Sequence, residues 1–363
     1  AHEYTSWRNE YQAGESVIND VTVRRLAVRT ERTPEIFGPM HSWMIHGPKP
    51  TPTFQQRRWA DLTGPQVEGL EGWLQRNAPH FDVAIFMTYM YTTTTRGLMA
   101  AAGRVPTILQ PTAHDEPSIW IPLFETVFRM PDAFLYFTAE ERGIVERRLR
   151  QGTVGSVVGI GISTYEVANP QSFRGAHGLG DSPYLLYVGR VDSGKGTVEA
   201  AKFFAEYQRR NHSDLKLVVA GEVISDMPQH PDIVYTGFLD EEMKRSAMAG
   251  SLALLQPSYF ESFSIVLCES WVQGRPALVQ GRCEVLNGQV RRAQGGLPYV
   301  GFASFEASVD YLRAAPEVAS AMGASGQRFV RDRYNWPEVL DGVESVVATA
   351  QQRFARRTRF GPR

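Results

Sequence analysis

The C-terminal half of the chain alternates short apolar runs with segments that have helical periodicity. Apolar runs without internal polar alternation indicate parallel strands that are buried on both faces, and the periodic segments between them indicate crossover helices. The predicted strands of this half are YLLYVGR (184–190), LKLVVAG (215–221), DIVYTGF (232–238), LALLQPS (252–258) and PALVQG (276–281).

The N-terminal half repeats this alternation less regularly. Because strands and helices alternate in both halves, we predict an α/β protein with two doubly wound Rossmann-like domains that face a cleft. The predicted strands of this half are VTVRRLAV (21–28), FDVAIFM (81–87), PTILQP (106–111), AFLYFT (133–138) and GSVVGIG (155–161).

The domain boundaries follow from composition. Residues 165–183 are rich in Gly, Pro, Ser and Asn and are predicted to be the linker between an N-terminal domain, 1–164, and a C-terminal domain, 184–335. A final helix is predicted over 336–363. The Pro- and Gly-rich segment 35–54 is predicted to be a long loop inside the first domain.

The bulk composition is that of a globular protein, with 43% hydrophobic and 21% charged residues. A net charge of −1 gives no indication of a nucleic-acid partner. Two cysteines, Cys268 and Cys283, are too few for a disulfide framework and fit the cytoplasm. The histidines lack zinc-ligand spacing, so no metal is expected, and no apolar stretch is long enough to span a membrane.

The C-terminus is basic, with five Arg in RFARRTRFGPR. The simpler interpretation is a solvated helix end whose cations favour the helix dipole. A weak peripheral contact with an anionic membrane surface is the alternative.

A first motif, VGRVDSGKG (188–196), joins a predicted strand to a predicted helix. Arg190 and Lys195 lie on either side of a Gly-containing turn, and Gly189 and its neighbours let a ligand approach the backbone. Two cations in front of a helix N-terminus suit a diphosphate. A surface turn with two solvated cations is the alternative, and the spacing of a P-loop is absent.

A second motif, ESFSIVLCE (261–269), follows the strand LALLQPS and so lies at the same edge of the predicted sheet. It places Glu261 on a loop and Glu269 inside an apolar helix that begins near Ser264. A carboxylate in the helix can accept hydrogen bonds from a ribose diol, and the loop carboxylate reaches further, toward a sugar ring. A chance Glu pair on a solvated helix face is the alternative.

Read together with the following GRP, these motifs resemble the nucleotide-binding half of the family-4 retaining glycosyltransferases of GT-B fold. The signature of that family is a pair of Glu residues separated by seven others. The resemblance implies that Arg190 and Lys195 hold a donor diphosphate. It also implies that Glu269 holds the ribose and that Glu261 contacts the donor sugar. In this architecture, the C-terminal helix is expected to cross back to the N-terminal, acceptor-side domain.

The resemblance extends to residues outside the paired Glu. It places His114, in QPTAHDEP (110–117), at a strand end beside the donor sugar, so that His114, Glu261, Arg190 and Lys195 are the expected catalytic residues. The alternative for His114 is a loop residue that caps the helix after Pro117. The remaining expected donor contacts are Gly189, Phe238, Leu239, Ser264, Ile265 and Val266.

Two departures from the family stand out. Ser264 occupies a position where the family usually has Gly; Ser often begins helices, so we expect it to be tolerated. The family's first strand, with its Gly-rich loop, is not recognisable ahead of AHEYTSW.

The expected function is transfer of a hexose from a nucleotide diphospho-sugar to an acceptor hydroxyl, with retention and without a metal or cofactor. The acceptor is expected to be a saccharide, a lipid-linked molecule or a small molecule, in surface polysaccharide or glycoconjugate synthesis. The alternatives are a sugar-nucleotide epimerase on the same fold and a non-catalytic nucleotide-sugar-binding protein.

Overall fold

The computed structural model describes residues 6–360, apart from the side chains of Ser193, Arg359 and Phe360. The described chain divides into two compact units. The first comprises residues 6–158 together with 341–360, and the second comprises residues 159–340.

The first unit contains a mixture of strands and helices, with short 3-10 helices at Ala78–His80 and Pro117–Trp120. Its strands are β1 (Gly14–Ile18), β2 (Val21–Arg25), β3 (Val28–Thr30), β4 (Gln66–Val67), β5 (Ala84–Met87), β6 (Thr107–Gln110), β7 (Ala133–Tyr136) and β8 (Gly155–Val157). Its helices are α1 (Pro34–His46), α2 (Thr53–Thr63), α3 (Leu70–Asn77), α4 (Thr92–Ala101), α5 (Pro122–Phe128) and α6 (Ala139–Leu149).

The main sheet of this unit is parallel, in the order β5-β6-β7-β8. Alternate residues of its strands enter two different cores, as expected for strands buried on both faces. Leu109 and Phe134 pack on one face, in the core that the strands form with helices α1 to α6 of the same unit. Ile108 and Leu135 pack on the other face against the helix Trp336–Phe360, through Val346 and its neighbours.

The predicted buried strand 21–28 is wrong. Strand β2 instead pairs antiparallel with β1 in a separate two-stranded sheet, and Val17 and Val21 are 68% and 62% exposed. The turn residues Asn19 and Asp20 both have positive φ, which is the geometry of a two-residue hairpin turn. This Asn-Asp pair was the hairpin signal in the sequence.

The long loop predicted over 35–54 is also wrong. Most of this segment belongs to helix α1, and its last two residues begin helix α2. Pro34 lies at the first helical position, where its missing N–H costs nothing. Phe37, Met40 and Met44 then recur at helical spacing and pack into the core of the first unit. Burial of this apolar stripe outweighs the Gly and Pro residues that suggested a loop.

The second unit contains the elements of a Rossmann domain, with a 3-10 turn at Ser193–Lys195. Its strands are β9 (Tyr184–Val188), β10 (Lys216–Ala220), β11 (Ile233–Gly237), β12 (Ala253–Gln256), β13 (Ala277–Gln280) and β14 (Gly296–Tyr299). Its helices are α7 (Pro170–Ala176), α8 (Thr197–Asn211), α9 (Glu241–Gly250), α10 (Ile265–Val272), α11 (Glu284–Ala293), α12 (Phe302–Ala314), α13 (Pro316–Arg333) and the start of α14 (Trp336–Phe360).

All six strands are parallel, in the order β11-β10-β9-β12-β13-β14. This is the 3-2-1-4-5-6 order of Rossmann domains, in which ligands bind where the strand order reverses. The reversal lies between β9 and β12, and each of these strands runs directly into one of the two motifs. The predicted α/β architecture with parallel sheets is confirmed.

The segment predicted to be a linker, 165–183, contains α7 and packs into the second unit. Asn169 caps this helix by accepting the N–H of Gln171, and Phe173 is fully buried. The N–H of Phe173 donates to the hydroxyl of Ser246 on α9 at 3.0 Å. Polar composition indicated a linker, but Phe173 and Leu179 pack into an apolar cluster of the second unit.

Among the described residues, no helix combines the length and the apolar character needed to cross a bilayer.

Candidate functional site

The first motif forms a tight turn organised by Asp192. Its carboxylate lies 2.7 Å from the guanidinium of Arg190, and its other oxygen accepts the N–H groups of Gly194 at 2.9 Å and Lys195 at 3.1 Å. Asp192 therefore orients the guanidinium of Arg190 and fixes the backbone at Lys195. Sequence reasoning did not single out this residue, although an Asp at the start of a helical turn is a common cap.

Gly196 explains why the first motif can lie against β12. Its φ is +69°, and a Cβ at this position would lie 2.3 Å from the carbonyl oxygen of Pro257. A side chain would be strained by the backbone conformation and would also collide with main-chain atoms. Glycine thus allows the loop after β9 to touch the segment after β12.

The two motifs meet through an ion pair. The ammonium of Lys195 lies 2.8 Å from the carboxylate of Glu261, and their side chains are 39% and 14% exposed. The residues are 66 positions apart in the chain. The parallel sheet brings them together because β9 and β12 are neighbours with the same direction.

Helix α10 begins at the second motif with an unusual residue. Ser264 has φ +74°, a conformation that favours Gly, and it is 7% exposed. Its hydroxyl does not cap α10 but accepts a hydrogen bond from the side-chain amide of Gln256 at 2.9 Å. The expectation that Ser264 would be tolerated as a helix-starting residue therefore has a different physical basis, a buried hydrogen bond to the end of β12.

Glu269 lies within α10 and pairs with a residue from another helix. Lys244 of α9 contacts the carboxylate of Glu269 at 2.9 Å and that of Glu241 at 3.0 Å. Burial disfavours the ammonium ion, but the hydrogen bonds to Glu269 and Glu241 outweigh it and raise the pKa of Lys244. Neither motif contains Lys244, so only the packing of α9 on α10 shows that it belongs to this region.

The other residues expected to contact the donor differ in how exposed they are. Leu239 and Val266 pack against the same apolar cluster, together with Val188 at the end of β9. Phe238 is 91% exposed, and Ile265 is 48% exposed. Ile265 and Glu269 line a cavity of about 200 Å³, along with Lys244.

The cysteines do not offer a reactive thiolate. Cys268 on α10 and Cys283 are both free and buried. Burial raises the pKa of Cys268, and it raises the pKa of Cys283 to about 11. Within the described part of the chain, no three His, Cys, Asp or Glu side chains are grouped so that they could hold a metal ion.

His114 belongs to the first unit, in the loop after β6. Its Nδ1 lies 3.6 Å from the carboxylate of Glu116, and the hydroxyl of Tyr89 donates to the other carboxylate oxygen at 2.9 Å. The short 3-10 helix that follows is preceded by Glu116, without a side-chain capping bond. His114 therefore lies beside an acidic side chain and does not cap that helix.

Comparison with known proteins gives a family-model match over part of this chain. Residues 171–327 match the family model described as Glycosyl transferases group 1. A curated relative, alpha-D-kanosaminyltransferase from Streptomyces kanamyceticus, is 27% identical over 194 residues, which cover 49% of this chain and 49% of the relative. The chain thus spans about half the length of this curated relative.

Solved structures resemble most of the chain at low sequence identity. The alpha,alpha-trehalose 6-phosphate synthase of Burkholderia multivorans gives a TM-score of 0.70 at 12% identity, over 98% of this chain and 89% of that one. Sucrose-phosphate synthase of Thermosynechococcus elongatus gives 0.67 at 14% identity, over 97% and 88%. Anabaena HepE in complex with UDP gives 0.59 at 13% identity, over 79% and 81%.

These likenesses establish the fold, and the sequence match covers the unit that carries both motifs. The chain has the GT-B fold, and its residues 171–327 match the group 1 glycosyltransferases.

Proposed function

We propose that this protein is a retaining glycosyltransferase that moves a hexose from a nucleotide diphospho-sugar to an acceptor hydroxyl. The observation that carries the proposal is the 2.8 Å contact between Lys195 and Glu261 at the reversal of the strand order. It joins a pair of cations suited to phosphate with a pair of carboxylates suited to sugar hydroxyls, at the position where Rossmann sheets bind nucleotides.

The charges suggest how the donor would be held. Arg190 and Lys195 would bind the diphosphate in front of α8, whose N-terminal N–H groups favour an anion. Glu269 would accept the ribose hydroxyls, while Lys244 fixes its carboxylate. Phe238 and Leu239 would meet the base because they follow β11 directly.

The same groups suggest the chemistry. Departure of the nucleoside diphosphate leaves positive charge on the sugar and negative charge on the phosphate. Arg190 and Lys195 would stabilise the phosphate, so that the residues of the chain supply the charge a metal would otherwise supply. Glu261 and His114 would support the hydroxyls of the sugar. The proposed setting is synthesis of a surface polysaccharide or glycoconjugate.

A transfer assay tests this function. The protein is incubated with UDP-glucose, UDP-N-acetylglucosamine or GDP-mannose, and release of nucleoside diphosphate is measured with and without saccharide acceptors. UDP-glucose is the first choice because one structural neighbour, HepE, is described in complex with it. We expect turnover that resists EDTA and a product whose anomeric proton has the donor's configuration by NMR.

The proposal fails if none of these donors is consumed and none raises the melting temperature. An interconverted donor sugar without transfer would indicate an epimerase instead.

A further inference from the structure

A buried carboxylate in the first unit has no part in the scheme above. Glu141 is fully buried, at the third position of α6. One of its oxygens accepts the N–H of Phe137 at 2.6 Å, and the other accepts the N–H of Ala113 at 2.8 Å. Charged side chains are rarely buried to this extent unless their hydrogen-bonding capacity is used.

These two hydrogen bonds connect the loop after β6 with the segment after β7. Ala113 directly precedes His114 in the chain. Thr112, one residue earlier, has φ +49°, which costs energy for a residue other than Gly. Such a backbone persists only where its surroundings hold it. The hydrogen bond from Ala113 to Glu141 stabilises this backbone, one peptide bond away from His114.

The side chain of His114 has a different acidic neighbour. Glu116 lies 3.6 Å from its Nδ1, and Tyr89 orients Glu116 through its hydroxyl. Glu116 therefore lies beside the imidazole, whereas Glu141 binds the backbone N–H of the residue that precedes His114.

We propose that Glu141 is a positioning residue that fixes the loop carrying His114 by accepting the backbone N–H of Ala113 while it anchors the start of α6. The inference rests on the proposed function, in which His114 supports the donor sugar. It adds a residue that touches neither donor nor acceptor.

Glu141→Gln tests the role directly. A glutamine keeps the shape but has one acceptor oxygen, and its amide group faces a backbone N–H that needs an acceptor. We expect kcat for transfer to fall by about 10- to 100-fold, since displacement of a reacting group by about 1 Å has effects of this size. The affinity for free UDP should stay unchanged, because the residues proposed to bind the nucleotide lie in the second unit.

Asp132→Asn is the matched control. Asp132 is 3% exposed, and its carboxylate accepts the backbone N–H of Thr107 at 2.9 Å. Thr107 begins β6, whereas the His114 loop follows the end of that strand at Gln110. Both variants replace a buried carboxylate of the first unit with its amide, but only Glu141→Gln should disturb the loop.

A second measurement does not depend on turnover. The imidazole resonances of His114, assigned by their loss in His114→Gln, should shift in Glu141→Gln and stay in place in Asp132→Asn. Burial raises the pKa of Glu141 to about 8, although the N–H groups of Phe137 and Ala113 oppose this shift. The resonances and kcat are therefore both compared at pH 9, where the carboxyl group is largely ionised.

The outcomes separate the two proposals. If Glu141→Gln changes kcat and the His114 resonances no more than Asp132→Asn does, the positioning role is wrong. If the unsubstituted protein transfers no sugar, the proposed function is wrong, and the resonances alone decide about Glu141. Should Glu141→Gln not fold, Glu141→Asp replaces it, because the shorter side chain keeps the charge but cannot reach both N–H groups.

Discussion

Three ion pairs tie together the side chains expected to hold the donor. Arg190 pairs with Asp192, Lys195 pairs with Glu261, and Glu269 pairs with Lys244. Each pair is partly exposed, so its own contribution to the free energy of unfolding is small. Their value is in orientation, because a cation already held in place loses less freedom when it binds a phosphate.

The phosphate assignment predicts losses of affinity. Lys195→Ala and Arg190→Ala should each weaken binding of the correct nucleoside diphosphate, because each removes a charge-assisted hydrogen bond worth about 1.5–3 kcal/mol. That corresponds to roughly 10- to 150-fold in the dissociation constant measured by isothermal titration calorimetry. Lys202→Ala, an exposed cation on α8, is the control and should bind normally. Unchanged affinity in both test variants would contradict the assignment.

The two Glu residues should differ in their effects. Glu269→Gln should weaken free nucleoside diphosphate by about 10-fold, because a charged acceptor for the ribose is lost. Glu261→Gln should bind it at least as well as the unsubstituted protein, since Lys195 loses a competing partner, while kcat for transfer falls. Titration and steady-state kinetics on both variants provide the measurement. Equal effects on nucleotide affinity would show that the division of roles is wrong.

At the scale of elements, the site depends on close contact between two loops of one sheet. The turn after β9 touches the segment after β12 only because Gly196 lacks a side chain. Strand order and direction bring these loops to one edge, and Gly196 sets how closely they approach.

Gly196→Ala should therefore lower the free energy of unfolding by at least about 2 kcal/mol, since a positive φ alone costs roughly 1–2 kcal/mol and the contact with Pro257 adds to it. Gly194→Ala is the control. Its Cβ would meet only the carboxylate of Asp192, at 3.3 Å, and its φ lies outside the positive range. Chemical denaturation of both variants measures the difference. Similar losses would mean that the approach to Pro257 is not what requires glycine.

At the scale of the whole molecule, the donor residues and His114 belong to different units. The proposed nucleotide contacts lie between Gly189 and Glu269, inside the second unit. UDP at 100 times its dissociation constant should add about 2.7 kcal/mol to the stability of the unit that binds it. Hydrogen exchange should show slower exchange in the strands β9 and β12 and little change in β6 and β7. Protection confined to the first unit would place the nucleotide site elsewhere.

The sequence by itself determined five of the six strands of the second unit, β9 to β13, and the two motifs, but it missed β14, whose Gly and Pro residues do not look like a strand. Runs such as YLLYV and LALL have no alternation of apolar and charged residues, which indicates strands buried on both faces. A Gly-containing turn after one such strand and a carboxylate pair after another predict the nucleotide site that is proposed above. These patterns involve residues that are close in sequence, so they can be recognised from the sequence alone.

Only the tertiary structure decided the rest. The helix over 34–46 forms despite its Gly and Pro residues because Met44 and its neighbours are buried in a core. Residues 21–25 form one strand of an exposed hairpin because Asn19 and Asp20 suit its turn. Lys244 and Glu141 belong to no sequence motif. Their proposed roles follow from their contacts with Glu269 and with the backbone of the His114 loop. Burial and ion pairing depend on residues far apart in the chain, and no local pattern specifies which distant residues will meet.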